Sequence, residues 1–141
     1  MEKRRYCQYS HLAFRKTPGH ENHRMIPTED QEQAAVAKFL DLLGVTWCHV
    51  PNGGFRNKAT AARLKIMGVK AGVPDIFIFT PPPMFPNSNG VAIELKRVKG
   101  GTLSPEQKHW LESLNEYGWF ARRGNGSGEV VDFCRRLGYC K

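Results

Sequence analysis

Gly72-Val73-Pro74-Asp75, followed directly by the apolar run Ile76-Phe77-Ile78-Phe79, is the stretch that decides how this chain folds. An acidic residue at the end of a turn leads into a short hydrophobic segment, which is typical of a buried strand. A second such segment, Val91-Ala92-Ile93, runs into Glu94-Leu95-Lys96. Side chains at i and i+2 share one face of a strand, so the first and third residues of that triplet point the same way.

These segments place charged side chains inside apolar strands. Burying a carboxylate there raises the free energy of the folded state unless the carboxylate is paired or holds a metal ion. Asp75 and Glu94, on neighbouring predicted strands, offer the oxygen ligands that hard divalent cations prefer. Lys96 adds a positive charge that can face a phosphate. The set predicts metal-dependent phosphodiester chemistry.

Composition and charge agree with a polyanionic partner. The chain has 141 residues, which suits one domain, and a formal net charge of +8. No Asp or Glu lies between Asp41 and Asp75. We predict that cations of this acid-free stretch contact phosphates without reading sequence. They are Arg56, Lys58, Arg63, Lys65 and Lys70. On its own, Asn52 with the two glycines that follow it predicts a tight turn.

The remaining composition predicts a protein of the cytoplasm. No apolar stretch is long enough to span a bilayer, and the basic, polar start of the chain predicts no signal peptide. The cysteines show no C-x-x-C spacing, so disulfides are not expected. Near the N-terminus, one cysteine and three histidines could gather zinc, but their spacing fits a basic arm better. These residues are Cys7, His11, His20 and His23.

The order of elements predicts an α/β domain, helix-strand-(helix)-strand-strand-helix-strand-helix, over residues 28–141, preceded by a basic arm over residues 1–27. Thr28 and Ser104 each begin a helix with a capping box. A proline-rich link between the strands 75–79 and 91–97 favours their antiparallel pairing. The other predicted elements are a strand over 45–50, a short basic helix over 59–67, a strand over 119–122, a flexible turn over 124–128 and a helix over 129–137.

The same residues resemble a known family. Pro74-Asp75 with Glu94-Leu95-Lys96 is similar to the PD-(D/E)XK nuclease signature. The surrounding segments, in one order along the chain, resemble its VRR-NUC branch from about Thr28 to about Leu137. They are Pro51-Asn52-Gly53-Gly54, Ala59-Thr60-Ala61-Ala62-Arg63-Leu64-Lys65, Gly68-Val69-Lys70-Ala71-Gly72-Val73-Pro74-Asp75 and Leu103-Ser104-Pro105-Glu106-Gln107.

The resemblance implies a restriction-endonuclease-like core, in which helices flank a mixed central sheet. It also implies a metal-dependent DNA endonuclease that uses Mg²⁺ or Mn²⁺ and no nucleotide cofactor. The family places the turn at Asn52 beside the site, where its small residues would let a DNA backbone approach, so Asn52 joins the predicted DNA-binding residues. Asp75, Glu94 and the Leu95 carbonyl would bind the metal, and Lys96 would activate water and stabilise charge on the phosphate. A third carboxylate would come from the first helix. We prefer Glu32, on its apolar face, to Glu29.

Gln107 has two interpretations. It completes the capping box that Ser104 begins, and it also matches a residue that the family places beside the active site. The resemblance further implies a homodimer, and a phage-type origin for so compact a member. Two alternatives stay open: a Holliday-junction resolvase with the same chemistry, and a nucleic-acid-binding module without catalysis.

Overall fold

The computed structural model describes residues 26–51, 57–99 and 101–141. The chain forms a mixed α/β domain whose order of elements is the predicted one. The elements are α1 (Glu29–Leu43), β1 (Trp47–His49), α2 (Lys58–Ile66), β2 (Ile76–Ile78), β3 (Gly90–Lys96), α3 (Pro105–Glu116), β4 (Trp119–Asn125) and α4 (Gly126–Arg136).

The four strands form one mixed sheet in the order β1-β2-β3-β4. β1 pairs antiparallel with β2, and β2 pairs antiparallel with β3, which confirms the pairing predicted from the short proline-rich link. β3 and β4 run parallel, with Glu94 opposite Arg123, and α3 supplies the crossover between them. The carboxyl end of β3 therefore lies beside the beginning of β2.

Local hydrogen bonds fix the starts of the two helices on which the site depends. Thr28 caps α1 and pairs reciprocally with Gln31, which is the predicted capping box. Ser104 and Gln107 form the same motif at α3, with Pro105 in the first helical position.

The two faces of β3 bury different sets of side chains. One face packs against α1 and α4, where Ile93 and Leu95 join the larger core cluster. The other face meets α3, where Ala92 packs with Leu111 and Leu114. Glu94 shares this second face with Ala92 because both occupy alternate positions of the strand. The carboxylate of Glu94 therefore lies on the same face of β3 as the apolar residues that pack against α3.

The end of β4 differs from the prediction. The flexible turn expected over residues 124–128 is wrong, since β4 continues to Asn125 and α4 begins at Gly126. Parallel pairing with β3 extends β4, and the glycines permit close packing. A Cβ at Gly124 would lie 2.7 Å from Cγ2 of Val130, and one at Gly126 would lie 3.1 Å from Oε1 of Glu32.

Parts of two predictions fall outside the described residues. Residues 1–25 of the predicted arm are not described, and they include the four candidate zinc ligands of that arm.

Across the described parts of the chain, no helix has the length and apolar character needed to cross a membrane.

Candidate active site

A cleft of about 590 Å³ opens where β2 begins, β3 ends and α3 begins. It brings together four residues that the sequence predicted as catalytic, on three different elements. These residues are Asp75, Glu94, Lys96 and Gln107. The segment from α2 to β2 forms the opposite wall, and Glu29 lies at its edge.

The turn before Asp75 packs closely against the start of α3. Gly72 has a φ of 79°, and a Cβ at this position would lie 2.6 Å from the carbonyl carbon of Glu106. Only glycine fits such a left-handed, crowded position without strain. The indole Nε1 of Trp110 donates a hydrogen bond of 3.0 Å to the carbonyl of Ala71. These contacts fix the distance between Asp75 and α3.

Asp75 is held by the neighbouring strand. Its Oδ2 accepts a hydrogen bond of 2.9 Å from the backbone N–H of Leu95. Its backbone carbonyl accepts one of 2.7 Å from the N–H of Val50 and lies 2.9 Å from Nδ1 of His49. The carboxylate is therefore fixed to β3 and the backbone to the end of β1.

Glu94 is almost completely buried, with 2% of its surface exposed. Its Oε1 lies 2.7 Å from the ammonium of Lys96 and also accepts a hydrogen bond from Nε2 of Gln107. Its Oε2 is buried and receives no hydrogen bond from any described residue. Buried carboxylate oxygens are usually satisfied, so this atom calls for an additional partner.

Both carboxyl groups have a raised pKa. Burial raises the pKa of Glu94 to about 7; the hydrogen bond from Lys96 lowers it, and the neighbouring charge of Asp75 raises it further. Burial also raises the pKa of Asp75, against the lowering effects of the Leu95 N–H and of Lys96. One lysine does not offset the burial of two adjacent carboxylates, and a bound cation would favour their charged forms.

Gln107 makes both contacts between which the sequence could not decide. Its Oε1 accepts a hydrogen bond of 2.9 Å from the backbone N–H of Ser104, which completes the capping box. Its Nε2 donates to Oε1 of Glu94. The side chain therefore caps α3 and orients a cleft carboxylate simultaneously.

The structure places the two candidate carboxylates of α1, Glu32 and Glu29, in different surroundings. Glu32 is buried as predicted, but its Oε2 accepts a hydrogen bond of 2.6 Å from the backbone N–H of Ser127, in the first turn of α4. The partial positive charge of a helix N-terminus favours a carboxylate there. Glu29 lines the cleft instead, and its charge contributes to the raised pKa of Asp75. Among the described residues, no three His, Cys, Asp or Glu side chains already stand at metal-binding distance.

The predicted DNA-binding residues lie in three kinds of position. Lys65 and Lys70 line the cleft wall. Lys58 and Arg63 lie on the exposed surface of α2, outside the cleft. Asn52 and Arg56 fall in the undescribed segment 52–56.

The sequence does not indicate the position of His49 near the cleft, and it places Glu29 only second among the candidate carboxylates of α1. The sequence alone favours a packing or surface role for His49, yet its ring contacts the backbone of Asp75 and its charge lowers the pKa of that residue. The pairing of β1 with β2 brings it there, and no local motif indicates that pairing. The sequence favours Glu32 over Glu29 as the metal ligand of α1, because helical spacing alone places Glu29 on an exposed first turn.

Comparisons with known proteins agree with this architecture. A solved structure described as a "VRR_NUC domain protein" superposes with a TM-score of 0.63 at 26% sequence identity, over 83% of this chain and 95% of that one. No curated protein matches the sequence significantly. The family profile described as "VRR-NUC domain" matches residues 27–127, which include all of the cleft residues named above. The chain therefore belongs to the VRR-NUC domain family, a nuclease-type family.

Proposed function

We propose that this chain is a metal-dependent endonuclease that hydrolyses phosphodiester bonds in DNA. Membership of a nuclease-type family supports hydrolysis of a nucleic acid. The observation that carries the metal requirement is the unsatisfied Oε2 of Glu94, buried beside a second carboxylate. A phosphodiester is itself anionic, so a site with two buried carboxylates needs a cation before it can accept one.

The residues fit a hard divalent cation. Asp75 and Glu94 supply carboxylate oxygens, and Glu29 at the cleft edge is the available third carboxylate. The described cleft side chains include no cysteine or histidine, and oxygen-only donors suit Mg²⁺ or Mn²⁺ better than zinc. The backbone carbonyl of Leu95 is a further candidate ligand, since this residue lies between Glu94 and Lys96.

When bound, such an ion would lower the pKa of a water molecule and neutralise charge on the phosphate. The protein's own groups have separate tasks. Lys96 carries a positive charge into the cleft, where it can stabilise negative charge developing on the phosphate oxygens. Gln107 fixes the orientation of Glu94, and the N–H of Leu95 fixes that of Asp75.

The cleft wall opposite these carboxylates is suited to a phosphate backbone. Lys65 and Lys70 line it, and the stretch between Asp41 and Asp75 contains no acidic residue. Contacts of this kind contribute affinity without sequence selectivity. We therefore expect cleavage that depends on DNA shape more than on base sequence.

A cleavage panel tests the proposal. Supercoiled plasmid, linear duplex, a flap and a four-way junction are incubated with the protein in Mg²⁺, Mn²⁺ or EDTA. The proposal predicts cutting of at least one substrate with either metal and none in EDTA. Binding without cleavage under every condition would indicate a nucleic-acid-binding module instead, and exclusive cutting of the junction would indicate a resolvase.

A further inference from the structure

The backbone of a glycine lies against the side chain of Lys96. A Cβ at Gly101 would lie 2.7 Å from Cβ of Lys96 and 3.2 Å from both its Cγ and its Cδ. Carbon atoms in contact are normally about 3.5 to 4.0 Å apart, so position 101 has no room for a methyl group beside this lysine. We call this packing of Gly101 on the first three side-chain carbons of Lys96 the stem contact.

Crowding distinguishes glycine from other residues at position 101. Gly101 is not among the described glycines that have a positive φ, so an L-residue could adopt its backbone conformation. The neighbouring lysine stem is what a larger residue would meet. The glycine is therefore explained by its contact with Lys96 and not by the shape of the turn.

The far end of the same lysine is held by charge. Nζ of Lys96 lies 2.7 Å from Oε1 of Glu94, and the lysine side chain is 14% exposed. A cation bound to Glu94 would compete with the ammonium for that carboxylate, whereas the stem contact does not depend on charge. Lysine carries its charge on a flexible four-carbon chain, so a contact along the carbons limits where the ammonium can move.

The segment that contains Gly101 is anchored on both sides. Before it, Cγ2 of Val98 packs on Gly126, where an added Cβ would lie 2.7 Å from that methyl group. After it, Leu103 packs against the core cluster that α3 covers, and Ser104 caps α3. The segment cannot withdraw from Lys96 without losing these contacts. A methyl group at position 101 should therefore displace the lysine stem.

We propose that Gly101 is a positioning residue for Lys96, and that the stem contact holds the ammonium in the cleft. Gly101 itself touches no reacting group and acts only through the lysine. This inference rests on the proposed nuclease function, in which Lys96 stabilises negative charge on the phosphate. Such stabilisation requires a charge that is already in place, and a displacement of about 1 Å can lower a rate about 100-fold.

The test uses the full chain with Gly101→Ala. The matched control is Gly128→Ala, because an added Cβ at this exposed position of α4 meets no heavy atom within 4 Å. In EDTA and without DNA, trace acetylation followed by peptide mass spectrometry measures the reactivity of Lys96 relative to Lys38, an exposed lysine of α1. DNA affinity in EDTA and the single-turnover rate at saturating DNA in Mg²⁺ are measured on the same proteins.

In Gly101→Ala we expect the relative acetylation of Lys96 to rise at least about two-fold, because a displaced lysine turns its ammonium towards water. The cleavage rate at saturating DNA should fall at least about ten-fold, while the dissociation constant for DNA stays within about two-fold of wild type. Gly128→Ala should match the wild type in all three measurements.

Unchanged acetylation of Lys96 in Gly101→Ala would overturn the proposal, as would a normal cleavage rate despite increased acetylation. A parallel loss of DNA affinity and cleavage would also overturn it, because it would indicate general disruption of the site. If Gly101→Ala is unfolded at the assay temperature, Val98→Ala, which loosens the same segment at a 53% exposed side chain, must show the increased acetylation or the proposal fails. If the wild type cuts nothing, the nuclease proposal fails, while acetylation still decides whether Gly101 holds Lys96.

Discussion

Gln107 donates a hydrogen bond from its Nε2 to Oε1 of Glu94, while its own Oε1 accepts one from the N–H of Ser104. One side chain therefore couples the start of α3 to a carboxylate of the cleft. From the sequence, helix capping and organisation of the site are competing explanations for Gln107. In the structure, the same side chain makes one hydrogen bond for each role.

Changing Gln107 should separate these roles. Gln107→Glu retains an acceptor for Ser104 but replaces the donor to Glu94 with a third negative charge, so cleavage should fall sharply while the melting temperature changes little. Gln107→Ala should lower stability by about 1 kcal/mol or less and also lower cleavage. Both are measured by thermal melting and single-turnover cleavage.

Gln31 provides the matched control, since it completes the capping box of α1 with Thr28 and is not among the residues that line the cleft. Gln31→Glu and Gln31→Ala alter only the capping contact, so they should show the capping contribution to stability by itself and leave cleavage at the wild-type rate. Normal cleavage by Gln107→Glu would show that its bond to Glu94 has no part in turnover.

The raised pKa of Glu94 predicts how stability depends on pH in the absence of metal. Its pKa is about 7 in the folded protein and 4.5 ordinarily, so the folded state binds this proton more tightly than the unfolded state. The resulting stabilisation is complete below about pH 4.5 and is lost as pH rises through 7. In EDTA, the melting temperature of wild type relative to Glu94→Gln should fall between pH 5 and pH 8. A constant difference would contradict burial of an ionisable Glu94.

Glu29 and Glu32 should respond oppositely to neutralisation. Glu32→Gln weakens the interaction with the N-terminus of α4 and should lower stability by about 1 kcal/mol, with cleavage per folded molecule unchanged. Glu29→Gln should leave urea unfolding unchanged and raise the concentration of Mg²⁺ needed for cleavage. If Glu32→Gln instead raised the Mg²⁺ requirement and Glu29→Gln lowered stability, Glu32 would be the metal ligand.

The cations of α2 should contribute affinity without selectivity. Arg63→Glu/Lys65→Glu should weaken binding to unrelated DNA sequences equally and reduce the salt slope by about 1 for each phosphate that the variant no longer binds. Lys38→Glu/Arg136→Glu makes the same change in net charge at exposed positions on α1 and α4. Titrations at several salt concentrations compare the two. If the two double variants weaken DNA binding equally, the effect of the α2 substitutions comes from net charge and not from phosphate contacts at α2.

Much of this architecture can be predicted from local sequence. The capping residues Thr28 and Ser104 mark helix starts, and apolar runs beside Asp75 and Glu94 mark buried strands. Alternation along β3 correctly places Glu94 and Lys96 on one face. These features depend on hydrogen bonds and periodicities within a few residues, so the local sequence is enough to predict them.

Other features depend on contacts between distant segments. Glu32 and Glu29 lie in the same helical turn, and only the packing of α1 against α4 reveals that Glu32 meets the N–H of Ser127. The approach of His49 to Asp75 depends likewise on strand pairing. The glycines at 124 and 126 have the composition of a flexible turn, but they serve close packing that becomes visible only in three dimensions.

The most direct test of the account is cleavage of supercoiled plasmid by wild type, Asp75→Asn and Glu94→Gln, with DNA binding measured in parallel. Each substitution removes a charged oxygen ligand with little change in volume. We predict cutting by the wild type in Mg²⁺ or Mn²⁺ and none in EDTA, and a rate at least about 100-fold lower in both variants, since even residues that only orient metal ligands commonly contribute 10- to 100-fold. Both variants should still bind DNA. Cutting by the wild type in EDTA, or by either variant at the wild-type rate, would contradict a metal site built on Asp75 and Glu94.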